Sequence, residues 1–157
     1  MQSSSEINTI SKRAARAVGY SWGVAEEVGK CISSIEMFGI SGVENLNNYF
    51  KTIKGIEPEG PKQIEKTNKL NDKSLCPIYT GLKLIDNYKS VDGIKALKFI
   101  NLDYPLLLLP FVNKLSYLIG KRIEISIDDI NAECNLNTCV LAAVSYTHLR
   151  AHETIQH

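Results

Sequence analysis

Two histidines near the C-terminal end are spaced as the zinc ligands of a helix are. His148 and His152 are four residues apart, and Glu153 follows the second. One helical turn separates such side chains, so both imidazoles would lie on one face, an arrangement typical of zinc sites. Taken alone, this spacing would predict a metallohydrolase.

The segment that carries this pattern has another interpretation. Residues 144–154 read Val-Ser-Tyr-Thr-His-Leu-Arg-Ala-His-Glu-Thr, which is similar to one reading frame of a transposase adapter used in sequencing libraries. We therefore predict that 144–157 is adapter-derived and that the native part, from a metagenomic fragment, is truncated near Ala143. All three histidines lie in that segment. Residues 1–143 then offer no histidine for a catalytic triad, a Cys-His dyad or a metal site.

The four cysteines do not have the spacing of a common metal site. Cys134 and Cys139 are separated by four residues, and a metal or iron–sulfur site would need further ligands. Cys31 and Cys76 could supply them only if the fold brought all four together. We favour structural roles and predict no metal and no cofactor.

Two short motifs are candidates for a binding site. Cys76 leads Pro77-Ile78-Tyr79-Thr80-Gly81, which we interpret as a turn that could lie at the mouth of a site. As a nucleophile, this cysteine would need a lowered pKa. A role in the turn and the core is the alternative.

Trp22, the only tryptophan, lies in Gly19-Tyr20-Ser21-Trp22-Gly23 and could stack on a planar ligand. The alternative is a helix–helix corner with Ser21 as a cap. Glu26 follows one turn later and could face the same ligand. The candidate ligand-binding residues are Trp22, Glu26, Cys76 and Thr80.

The first third of the chain predicts three helices that would position the tryptophan motif. Ser3-x-x-Glu6 is a capping box before an apolar-periodic run that ends at Gly19. A second helix follows 21–23 and ends at Gly39. A third starts from another capping box, Ser41-x-x-Glu44. Short glycine-containing turns join the three helices.

The rest of the chain predicts a linker and strands. Residues 54–73 are polar and rich in Gly and Pro, with a short helix near 63–70. We predict strands at 94–101, at 106–112 despite Pro110, and at 122–128, with helical turns at 113–118 capped by Gly120. The fold class is α+β: an N-terminal unit of about three helices packed with a small, mainly antiparallel sheet in a single domain, 1–143.

Composition excludes several functional classes. The formal net charge is +1, so no basic surface for nucleic acid is expected. The longest apolar run, 105–112, is far shorter than the ~20 residues of a membrane-spanning helix. The N-terminal residues are polar and lack the apolar core of a signal peptide, so we expect a cytoplasmic protein.

Several segments together resemble a bacterial family. Ser5-Glu6-Ile7, the run from Lys12 to Ala17 and, most specifically, the run from Gly19 to Lys30 are similar to the family known as domain of unknown function 3726. Cys76-Pro77 with Thr80-Gly81, and 107–111 with Gly120, extend the resemblance over most of 1–130. The resemblance implies a bacterial protein with a polar C-terminal region beyond the present chain, and it implies no catalytic residue.

These observations leave two functional hypotheses. The first is an accessory or binding module without catalysis, with a small molecule or a protein as its partner. The second is a small-molecule enzyme or enzyme subunit with a site between the Tyr20–Glu27 corner and the Cys76–Gly81 turn. A concave pocket with perturbed carboxylates between these two segments would favour the enzyme.

Overall fold

A computed structural model describes the backbone of residues 3–131 and 136–145. Within these residues, six α-helices, a short 3-10 helix and four strands follow one another. In chain order they are α1 Ser4–Val18, α2 Trp22–Met37, α3 Gly42–Thr52, β1 Thr67–Asn68, α4 Pro77–Asp86, α5 Tyr88–Asp92, β2 Ala96–Phe99, the 3-10 helix Pro105–Leu108, α6 Leu109–Ile119, β3 Lys121–Asn131 and β4 Leu136–Ser145.

The first two helices begin and end where the sequence predicts. The Ser3 hydroxyl accepts a hydrogen bond from the backbone N–H of Glu6 at 3.2 Å. Gly19 ends α1 with a φ of 116°, a conformation that glycine adopts without strain. Ser21 then caps α2 through the N–H of Val24. Gly19 and Ser21 therefore determine the corner between the two helices.

The third helix has a different cap from the one predicted. The Ser41 side chain makes no capping hydrogen bond. Glu36 at the end of α2 accepts from the N–H of Val43 at 2.8 Å instead. The capping-box prediction at Ser41 was therefore wrong, because a neighbouring helix supplies the carboxylate.

Two proline segments were misinterpreted from the sequence. Cys76 and Pro77 do not form an isolated turn but begin α4, with Pro77 in its first turn. The strand predicted at 106–112 is also wrong. That segment forms the 3-10 helix and the start of α6, with Pro110 in the first helical turn. Gly120 ends α6 as predicted.

The predicted linker contains a strand rather than a helix. β1 pairs in parallel with β2, with Thr67 opposite Lys98. The Asn68 side chain donates to the backbone oxygens of Glu65 and Lys98. These tertiary hydrogen bonds hold the segment extended, so the helix predicted near 63–70 was wrong.

The sheet is mixed but mainly antiparallel, as predicted. Its strand order is β1-β2-β4-β3. β4 pairs antiparallel with both neighbours, so Leu141 lies opposite Leu97 on one side and Ile125 on the other. The strand predicted at 122–128 is confirmed within β3. With three helices preceding it, this sheet confirms the α+β class.

Two apolar cores hold the molecule together. The first lies among α1, α2, α3 and the start of α4, and includes Ala15, Tyr20, Val28, Tyr49, Phe50 and Cys76. The second lies between the sheet and α4 to α6, and includes Leu84, Phe99, Leu108, Leu115, Cys139 and Leu141. Within 3–131 and 136–145, no helix is both long and apolar enough to span a membrane.

Candidate functional site

Trp22 and Glu26 lie on the outer surface of the α1–α2 corner. Trp22 is the first residue of α2, and its side chain is 62% exposed. The guanidinium carbon of Arg16 lies 4.4 Å from the centroid of its ring, and the Lys12 ammonium lies 5.8 Å away. Lys12 also forms an ion pair with Glu26 at 3.6 Å. We call Lys12, Arg16, Trp22 and Glu26 the outer corner.

The outer corner joins two helices across their turn. A cation over an exposed indole contributes about 0.5–1 kcal/mol. An exposed ion pair contributes a similar or smaller amount. Arg16 has a second role, because it donates to the backbone oxygen of Tyr20 at 2.7 Å. These contacts account for Trp22 and Glu26 without a ligand.

Cys76 at the start of α4 and Thr80 within α4 are both buried, and Cys76 belongs to the first core. Cys76 is 1% exposed and caps α4, with its sulfur 3.5 Å from the N–H of Tyr79. The Tyr20 hydroxyl lies 3.5 Å from the same sulfur. Tyr49 is also buried in this core. We call Tyr20, Tyr49, Cys76 and Thr80 the inner cluster.

Burial keeps the inner cluster uncharged. Desolvation raises the pKa of the Cys76 thiol above its ordinary value of 9.0. It also raises the pKa values of Tyr20 and Tyr49, and the neighbouring Cys76 adds to both shifts. A nucleophilic cysteine needs the opposite shift and access to its substrate. At neutral pH the cluster therefore holds a neutral thiol and neutral phenols.

Thr80 is fully buried one helical turn after Cys76. Its hydroxyl makes no hydrogen bond within the described part of the chain. The next residue, Gly81, lies directly against the ring of Phe111 on α6, and a Cβ at this position would overlap that ring. Gly81 thus allows α4 to pack closely against α6.

A cleft opens beside Tyr20, at the C-terminal end of α1. Its volume is about 690 Å³, within the ~300–1,000 Å³ of small-molecule sites. The cleft separates α1 and α3 from the segment 53–58. We call it the Tyr20 cleft. Aromatic and aliphatic residues line much of it, namely Val18, Tyr20, Phe50, Ile53, Ile56 and Tyr79.

The floor of the Tyr20 cleft is aromatic, and its sides carry charges. The ring centroid of Tyr20 lies 5.8 Å from that of Phe50 and 5.4 Å from that of Tyr79. Lys51 and Lys54 line the cleft and are exposed. The cleft can therefore hold an apolar or planar group over the aromatic residues and an anionic group beside the lysines.

The structure divides the four candidate residues into two pairs. Trp22 and Glu26 are at the surface, Cys76 and Thr80 are in the core, and none of the four lines the Tyr20 cleft. Only Tyr20, from the predicted corner, lines the cleft and touches Cys76. Binding by those four residues stays a prediction. Tyr79, from the predicted Cys76–Gly81 turn, also lines the cleft. Sequence reasoning missed Phe50 and Lys51, although an aromatic residue beside a lysine on α3 was a usable signal.

Several possible metal ligands lie outside the described residues. Among the side chains that the structure describes, no group of three His, Cys, Asp or Glu could hold a metal ion. Cys134 and the three histidines lie outside the described residues. The adapter-derived origin of 144–157 stays a prediction. In that segment the structure describes only the backbone of Val144 and Ser145, which pair with β3.

Comparison with known families supports the resemblance stated above. Residues 2–74 match a family model described as "Protein of unknown function (DUF3726)". This segment is similar to the DUF3726 family. The DUF3726 match includes α1 to α3, and therefore the outer corner and Tyr20. It ends before Cys76, so the resemblance at 76–81 and 107–120 stays a prediction.

The description of DUF3726 assigns no activity to its members. Searches of curated proteins and of solved structures found no match to this chain. The residues and geometry of the Tyr20 cleft are therefore the basis for the function proposed below.

Proposed function

We propose that this protein is a non-catalytic binding module that holds a small molecule in the Tyr20 cleft, as an accessory component of a larger process. The observation that carries the proposal is the composition of this cleft: an aromatic floor of Tyr20, Phe50 and Tyr79 with two lysines at its side. Such a combination provides apolar burial for affinity and a few charges for orientation.

The chemistry of the cleft indicates the class of ligand. Lys51 and Lys54 are cations on a flexible stem and attract carboxylate, sulfonate or phosphate groups. Glu57, on the same segment as Lys54, disfavours a second anion at that position. We propose a ligand with a planar apolar body and one anionic group, because it would cover the aromatic floor and reach the lysines together.

The enzyme alternative, with a site between the Tyr20–Glu27 corner and the Cys76–Gly81 turn, has two supporting observations. Tyr20 and Cys76 from these two segments touch at 3.5 Å, and Tyr20 and Tyr79 from the same segments both line the Tyr20 cleft. However, burial raises the pKa of that thiol and closes it from solvent. A buried, neutral thiol favours packing over nucleophilic attack, and we prefer the binding module.

The proposed setting is the bacterial cytoplasm. Cys31, Cys76 and Cys139 are free thiols, as expected in a reducing compartment. The net charge of +1 supports a partner other than nucleic acid. The partner is then a small molecule, or a protein that receives the loaded module.

A titration with 8-anilinonaphthalene-1-sulfonate tests the proposal, because this fluorescent probe has an aromatic body and one sulfonate. We expect saturable binding of one probe per chain. The double variant Lys51→Glu/Lys54→Glu should weaken binding by about 10-fold, since two attractive charges become repulsive.

Lys95→Glu is the matched control for this titration. Lys95 is exposed like the two cleft lysines but does not line the Tyr20 cleft. The affinity of the Lys95→Glu variant for the probe should stay within about 2-fold of that of the unchanged protein. Probe binding that is non-saturable, or that both charge variants weaken equally, would rule out the Tyr20 cleft as the binding site.

A further inference from the structure

A second cleft lies between α1 and α3, beside the beginning of α3. Its volume is about 530 Å³, within the ~300–1,000 Å³ of small-molecule sites. We call it the Ser11 cleft, after the buried serine of α1 that lines it. Apolar side chains from both helices line much of the rest, namely Ile10, Ala14, Val43, Leu46 and Phe50.

The Ser11 hydroxyl is a buried polar group without a partner. Ser11 is 2% exposed, and its Oγ makes no hydrogen bond within the described part of the chain. A buried hydroxyl that loses its bonds to water and gains none in return destabilises the folded state. A polar group of a ligand in the cleft could supply the missing hydrogen bond.

Two carboxylates give the Ser11 cleft the opposite charge to the Tyr20 cleft. Glu36 and Glu44 line it, and none of its described lining residues is a lysine or an arginine. Neither glutamate forms an ion pair with another described residue. Glu36 already accepts from the N–H of Val43 at the start of α3. An external anion would find this helix end occupied, and both carboxylates would repel it.

We propose that the Ser11 cleft binds a primary amine with an apolar body. An ammonium group carries three N–H donors, so it can donate to the Ser11 Oγ and to a glutamate carboxylate together. Hydrogen bonds between ionised groups are stronger than those between neutral groups. The apolar body would cover Ile10, which is 44% exposed. The ligand class differs from that of the Tyr20 cleft, although Phe50 lines both clefts.

Three six-carbon probes test the proposal on the whole chain by NMR titration. Hexylammonium carries the proposed group, 1-hexanol has the same chain without a charge, and hexanoate reverses the charge. Hexylammonium should shift the amide signals of Ser11, Ala14 and Leu46 saturably. Its Kd should be at least about 5-fold lower than that of 1-hexanol, because the carboxylates attract only the cation. Hexanoate should leave these three amide signals unshifted.

Two variants test the polar contacts separately. Ser11→Ala should raise the Kd for hexylammonium by about 5-fold, because one hydrogen bond is lost. Its Tm should stay unchanged or rise, since the substitution removes an unpartnered buried hydroxyl. The double variant Glu36→Gln/Glu44→Gln should raise the Kd by about 10-fold. A glutamine at position 36 keeps an oxygen that can accept from the N–H of Val43.

Glu65→Gln is the matched control for the loss of charge. Glu65 is exposed and does not line the Ser11 cleft, so this variant should bind hexylammonium within about 2-fold of the unchanged protein. Circular dichroism of each variant verifies its fold. Equal affinities for hexylammonium and 1-hexanol, or saturable hexanoate binding at the same amides, would overturn the proposal. Normal hexylammonium binding by Ser11→Ala or by the double glutamine variant would overturn it as well.

Discussion

Tyr20 and Trp22 are two residues apart at the same helix corner, yet they lie in opposite environments. Tyr20 is 2% exposed and contacts Cys76, Phe50 and Tyr79. Trp22 is 62% exposed and contacts the cations of α1. The cause is local: Gly19 reverses the chain after α1, and Ser21 starts α2 between the two aromatic residues.

This difference bears on the proposed site. Trp22 lies at the surface of the corner, where it joins two helices through the cations of α1. Tyr20 lies between the first core and the Tyr20 cleft, which we propose as the binding site. The predicted corner therefore contributes Tyr20 to that cleft, and ligand binding by Trp22 stays a prediction.

The largest expected effect comes from Tyr20. Tyr20→Ala should lower the free energy of unfolding by about 4 kcal/mol, because it removes a buried aromatic side chain and leaves a cavity beside Cys76. Trp22→Ala should cost about 1 kcal/mol or less. Urea unfolding of both variants measures the two changes in the free energy of unfolding. Equal losses of stability would contradict a buried Tyr20 and an exposed Trp22.

A second large effect is expected at Gly81, where α4 packs against α6. Gly81→Ala should lower stability by about 2 kcal/mol, because its methyl group would overlap the ring of Phe111. Gly23, beside Trp22 on the outer side, has open space around it. Gly23→Ala should leave stability unchanged or raise it by up to about 1 kcal/mol. A destabilised Gly23→Ala or a neutral Gly81→Ala in thermal unfolding would argue against this packing.

The inner cluster should make the protein sensitive to alkaline pH. Burial raises the pKa of Cys76 above 9.0, so above that pH the unfolded chain loses the proton that the folded chain keeps. Stability contributed in this way is complete below pH 9 and is lost as pH rises, by about 1.4 kcal/mol per pH unit.

Urea unfolding between pH 8 and 10 measures this loss. Cys76→Ala should flatten the decline, whereas Trp22→Ala should not, because the indole does not titrate. Burial raises the pKa of Cys31 to about 12 and of Cys139 to about 11, so part of the decline remains in both variants. If the free energy of unfolding of Cys76→Ala falls with pH as steeply as that of the unchanged protein, the Cys76 thiol is not desolvated in the folded state.

The smallest expected effect lies within the outer corner. A double-mutant cycle of Arg16→Ala and Trp22→Ala should give a coupling free energy of about 0.5–1 kcal/mol. The cycle formed by Lys12→Ala and Glu26→Ala should give about 0.5 kcal/mol and fall in high salt. A coupling near zero in both cycles would remove the structural role assigned to Trp22 and Glu26.

Local signals made the N-terminal helices predictable. Ser3, Gly19 and Ser21 act through hydrogen bonds and backbone conformations within a few residues. Gly120, which ends α6, and the strict alternation in β3 are local signals of the same kind. These helices and this strand could therefore be predicted without the tertiary structure.

The incorrect predictions have non-local causes or depended on the position of proline. Glu36 replaces the predicted cap of α3 from another helix, and Lys98 holds the β1 segment extended from a distant strand. Pro77 and Pro110 indicated a turn and an interrupted strand, whereas each stands in the first turn of a helix, where its missing N–H is tolerated. Sequence reasoning named two of the segments that line the Tyr20 cleft, through Tyr20 and Tyr79, but not α3 or 53–58, because these segments are joined only by the tertiary structure.

The most direct test is to map the amide shifts of the isotope-labelled protein by NMR during titration with 8-anilinonaphthalene-1-sulfonate. If the ligand binds in the Tyr20 cleft, the amide signals of Gly19, Lys51 and Gly55 should shift saturably, and the indole N–H of Trp22 should stay nearly unchanged. Shifts centred on Trp22 and Glu26, with the cleft amides unaffected, would contradict binding in the Tyr20 cleft.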